Sequence, residues 1–75
     1  MALYAEIRKV NEDNKFVRYA YTDGQGSEQT VILDKAAETI SPETGSESML
    51  YRAVARKIAS AWVNGSTPDR MMVCS

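Results

Sequence analysis

One stretch of this chain must form a helix and must be covered. Between Glu47 and Val63, the apolar residues Leu50, Tyr51, Val54, Ile58, Ala61 and Trp62 recur at three- and four-residue spacing. At about 100° per residue they fall on one broad stripe, with Arg52, Arg56 and Ser60 on the opposite side. An isolated helix of this length is marginal in water, so its stability has to come from burying that stripe. The partner must lie in the preceding residues, which carry a different period.

Residues 3–10, LYAEIRKV, alternate as a half-buried strand does, with Leu3, Ala5 and Ile7 on one face. Asn11-Glu12-Asp13-Asn14 reads as a solvated hairpin tip, and KFVRYAYT (15–22) resumes the alternation with Val17, Tyr19 and Tyr21. The turn-rich segment DGQGSE (23–28) leads to QTVILDK, whose centre is β-branched and strand-forming. Asp34-Lys35-Ala36-Ala37 reads as a tight turn, and Glu38 to Ser41 as a short fourth strand stopped by Pro42. A helical turn over DKAAETI is the competing reading for 36–41. Short connections favour antiparallel pairing of neighbours.

The loop PETGSES (42–48) supplies the helix start. Thr44 with Glu47 has capping-box spacing, and Ser46 is an equally good single cap. Asn64-Gly65 closes the helix, with Pro68 preventing its resumption. The tail RMMVCS (70–75) is a candidate edge strand. The expected fold is therefore α+β: an antiparallel meander of three or four strands, followed by one C-terminal amphipathic helix packed on one sheet face. Tyr51 and Trp62 should flank the stripe, with Leu50, Val54 and Ile58 at its centre. The 75 residues make one small domain, near the lower size limit for a self-sufficient core, so dimerisation would help it.

Chemistry is sparse. Histidine is absent, which removes the commonest general base and metal ligand. The single cysteine, Cys74, has no intramolecular partner, and Arg70 is the only cation near it in sequence. Gly24-Gln25-Gly26 lacks the third glycine and following helix of a dinucleotide fingerprint, so it reads as a turn. The carboxylates are scattered, with no paired acids and no calcium loop. The serines and threonines from Thr39 to Ser48 are explained by loop and cap. The expectation is a non-enzyme without catalytic, cofactor-binding or metal site. The segment after Met1 is strand-patterned and interrupted by Glu6, Arg8 and Lys9, which fits neither a leader peptide nor a membrane span and points to the cytoplasm.

The most promising surface is the sheet face away from the helix. Alternation turns Tyr4, Glu6, Arg8, Phe16, Arg18 and Ala20 outward, and among these Tyr4, Arg8, Phe16 and Arg18 are the candidate interaction residues. Aromatic and arginine side chains anchor protein interfaces and also stack bases. A net charge of −1 lacks the basic surplus of most nucleic-acid binders. The leading expectation is a small binding or accessory protein acting through protein contact, with a partner or as a homodimer. Single-stranded nucleic-acid binding is the alternative. Four strands followed by a helix resemble the element order of Whirly-type single-stranded nucleic-acid binders, in order only and in no motif.

Overall fold

The computed structural model describes residues 4–22, 26–44 and 48–74. Expectations for Leu3, the 23–25 part of the glycine turn, Ser46, Glu47 and the Cys74 thiol fall outside what it describes. The order of elements is β1 (Tyr4–Glu12), β2 (Phe16–Thr22), β3 (Glu28–Asp34), β4 (Thr39–Pro42), α1 (Met49–Val63) and β5 (Arg70–Cys74). All five strands join one antiparallel sheet in the order β4-β3-β2-β1-β5. The α+β class and the meander of β1 to β4 agree with the alternation. Among the described residues the strand count is five, however, and α1 is followed by a strand. The chain leaves the helix and returns beside β1 as β5, so the tail supplies an edge strand. The Whirly-like order of four strands and a terminal helix is corrected by the same strand.

The inward positions of the sheet are Ala5, Ile7, Val17, Tyr19, Tyr21, Val31 and Leu33, joined by Met71 and Val73 of β5. Tyr51, Val54 and Ile58 of α1 belong to the same cluster. Leu50 and Trp62 are only partly buried against it, so Tyr51 rather than Leu50 occupies the centre of the stripe. Tyr51 can go inside because its hydroxyl donates to the Ile40 carbonyl at 3.3 Å, so its own polar atom is met. Tyr19 is buried by the same means, donating to the Pro68 carbonyl at 3.0 Å, and burial raises its pKa.

Local chemistry sets the joints. The tip is exposed as expected, but the turn is shorter than Asn11–Asn14 and is made by Asp13, whose carboxylate accepts from the Lys15 and Phe16 amides, both at 2.7 Å. Those two amides, the Phe16 one first, lower its pKa. Strand β1 runs on through Glu12 with a bulge between Lys9 and Asn11. Asp34 accepts from the Ala36 and Ala37 amides. Glu38, expected in the strand, instead ends that turn with φ +56°. The helix N-cap is Ser48, whose hydroxyl accepts from the Tyr51 amide at 3.1 Å. Thr44 is used differently, its hydroxyl accepting from the Thr30 amide at 2.9 Å and tying β4 to β3. At the far end Gly65, with φ +81°, allows the Gly65 and Ser66 amides to reach the Trp62 and Ala61 carbonyls, a Schellman closure.

Candidate interaction surface

Tyr4, Arg8, Phe16 and Arg18 all lie on the sheet face opposite α1, since their strand neighbours Ala5, Ile7 and Val17 are buried in the core. They do not form one cluster. Tyr4 lies level with β5 residue Cys74, whereas Phe16 lies level with Asp34 at the other end of the sheet. At about 3.4 Å per residue, they are on the order of 25 Å apart. Phe16 and Arg18 come together, lining a shallow depression of about 290 Å³ with Asn11, Asp13 and Ile32.

Both arginines are already engaged. Arg8 reaches across β2 to Glu28 at 2.6 Å, and Arg18 reaches across β3 to Glu43 at 2.8 Å. Glu43 also accepts from the Thr30 hydroxyl at 2.8 Å. Ala20, expected to point outward to solvent, is fully buried. Its cross-strand neighbours are Arg8 and Thr30, and long side chains laid over the sheet cover so small a residue. The Arg18 Nε–H is buried with no partner among the described residues.

Glu12 is a further junction that sequence alone hid inside a polar run. It accepts from Lys9 and Lys35, each at 2.7 Å, and from the Thr67 hydroxyl at 3.2 Å. It thereby links β1 to the β3–β4 turn and to the segment before β5. Lys35 first, then Lys9, hold its carboxyl at about 2, and the Glu12 carboxylate in turn raises the pKa of Lys9. This is a clamp between structural elements rather than an acid–base pair. Among the described residues, no group of three or more His, Cys, Asp or Glu is placed to hold a metal ion. Among them also, no helix is long and apolar enough to cross a membrane.

The two sheet edges differ. The Glu43 amide donates to the Thr30 carbonyl, so in antiparallel alternation Ser41 and Thr39 point their backbone groups at β3, and Ile40 and Pro42 point theirs outward. Pro42 has no N–H to offer, and the Ile40 carbonyl accepts from Tyr51. That edge is blunted. On the other side, the Lys9 amide donates to the Asp69 carbonyl at 2.8 Å. Met71 and Val73 therefore face β1, and the amides and carbonyls of Arg70, Met72 and Cys74 face away from it. No described strand pairs with them. Met72 is 54% exposed at the middle of this open edge.

Charge divides along the sequence. Residues 48–75 carry Arg52, Arg56, Lys57 and Arg70 against Asp69, a net +3; residues 1–47 carry five cations against nine carboxylates, a net −4. Of the cations near β5, Arg56, Lys57 and Arg70 have no carboxylate partner among the described residues, whereas Arg8, Lys9, Arg18 and Lys35 all do. Arg70 sits directly opposite Arg8, which turns away to Glu28. That α1 contains no acidic residue was readable from the sequence, but its meaning depends on β5 lying beside it.

Comparison of the chain with protein-family models, with curated proteins and with solved structures finds no match.

Proposed function

We propose that this chain is a non-catalytic binding module that acts through contact with another polypeptide. The observation that carries the reading is the contrast between two surfaces. On the open sheet face the arginines are neutralised by Glu28 and Glu43, and the aromatics Tyr4 and Phe16 stand far apart, a poor platform for stacked bases. Along β5, by contrast, the outward main-chain donors and acceptors beside exposed Met72 pair with no strand among the described residues. A strand edge of this kind is satisfied by another backbone, which proteins supply and nucleic acids do not.

The test pairs two measurements. Titration of a labelled single-stranded oligonucleotide at low salt should give no binding. Capture from source lysate on immobilised chain should retain a protein on the wild type and on Phe16→Ala, but not on Met72→Pro. A salt-sensitive oligonucleotide complex abolished by Phe16→Ala would replace this reading with the nucleic-acid one. Capture that is lost equally in both variants would move the contact from β5 to the open face.

A further inference from the structure

The β5 edge is specific about the kind of strand it accepts. We propose that it binds an extended segment of a partner protein that is rich in Asp and Glu, added to the sheet as a sixth strand. This rests on the reading of the chain as a polypeptide-binding module and names the partner's chemistry.

Three features define the occupant. Arg70, Met72 and Cys74 present their N–H and C=O groups outward in the plane of the sheet, the pattern an added strand needs. A groove of about 420 Å³ runs between α1 and this edge, with Lys57, Ser60, Asn64, Pro68, Arg70 and Met72 along it. An adjoining hollow continues past Arg56 to Val73. An incoming strand that fills this channel places alternate side chains toward the helix, where Arg56 and Lys57 stand, and toward the outer face, where Arg70 stands. Glu6 is the carboxylate nearest that outer side, lining a hollow with Arg70 and Met72, and it is outnumbered by the cations.

The same cations argue against a second copy as the occupant. Symmetric pairing of β5 with β5 would set Met72 against Met72 and bring Arg56 and Lys57 of both helices to one seam. Like charges placed together across a seam disfavour that complex and leave an acidic strand as the complementary one. The opposite edge is the poorer entry, because Pro42 has no N–H and the Ile40 carbonyl is taken by the Tyr51 hydroxyl.

The experiment uses the full ¹⁵N-labelled chain and three acetylated, amidated peptides of equal length: acidic DVEVEV, basic KVRVKV and neutral SVTVSV. In the free chain the Met72 amide should exchange rapidly with solvent, while the Met71 and Val73 amides are protected by β1. Acidic peptide should slow Met72 exchange at least tenfold and shift the β5 amide resonances, and basic peptide should do neither. Arg56→Gln with Lys57→Gln should weaken the acidic peptide by about two- to fivefold per cation. Met72→Pro should abolish binding and keep the melting transition, since the N–H it removes is not used in the sheet. Equal binding of all three peptides would overturn the charge preference and leave polypeptide binding standing. Binding of none, with Met72-dependent capture retained, would overturn the acidic-strand assignment alone. A Met72 amide already protected in a concentration-dependent dimer would assign the edge to a second copy instead.

Discussion

Ile58→Ala isolates the contribution of the helix to the core. Ile58 is 2% exposed and belongs to the cluster that includes Val54, Tyr51 and the inward sheet residues. Truncation of a buried isoleucine costs about 2–5 kcal/mol through lost transfer energy and the cavity left behind. Alanine returns a few tenths of a kcal/mol in helix propensity, so about 3 kcal/mol is the expected net loss. A 75-residue domain has roughly 4–11 kcal/mol in total, so this one methylene-rich side chain carries a large share. At roughly 4–8 °C per kcal/mol for a domain of this size, the midpoint should fall by about 12–24 °C. Urea and thermal melts followed by the fluorescence of Trp62, the single tryptophan and itself packed against the core, report the change directly. The comparison is Arg52→Ala, an exposed change expected to stay within about 0.5 kcal/mol. If Ile58→Ala melts like Arg52→Ala, α1 does not complete the core, and the grooves beside β5 lose one wall.

Val54→Asp places a charge at a fully buried position and should leave no cooperative transition; a normal melt would contradict the packing of α1. Glu12→Gln should flatten the acid limb of the stability profile. The Glu12 carboxyl has its pKa lowered in the folded chain, so its contribution is complete above the ordinary 4.5 and is lost as pH falls toward about 2. Superimposable acid-unfolding curves for wild type and Glu12→Gln would show that the clamp to Lys35 and Lys9 adds nothing. Gly65→Ala, at φ +81°, should cost about 1 kcal/mol from backbone strain alone, since no atom crowds the added methyl; an unchanged melting midpoint would disprove the closure.

The parts of the fold governed by local period were legible in the sequence. Alternation in 3–10 and 15–22 placed Ala5, Ile7, Val17, Tyr19 and Tyr21 on the core side, and the helical spacing found Val54 and Ile58. What local pattern missed were decisions made by distant partners. Tyr51 takes the centre of the stripe because the Ile40 carbonyl, eleven residues earlier, accepts its hydroxyl. Thr44 is drawn from the helix start to Thr30, so the cap falls to Ser48. Glu12 leaves the hairpin tip because Lys35 and Thr67 converge on it from two other segments. The candidate residues Tyr4, Arg8, Phe16 and Arg18 were placed on the right face, but their ion pairs with Glu28 and Glu43 depend on strand order, which alternation does not encode.

The asymmetry of the sheet edges follows from where the chain places its helix. Because α1 lies between β4 and β5 in sequence, its first turn supplies Tyr51 to the β4 edge, and its later turns place Arg56 and Lys57 beside β5. One helix thus closes one edge with a hydroxyl and flanks the other with cations. An unprotected edge strand is an aggregation hazard in a chain this small, and charge beside it is one of the ordinary protections. On the proposed reading, cations beside β5 disfavour pairing with a second copy but not with an acidic strand, so one device would both discourage self-pairing and select the partner.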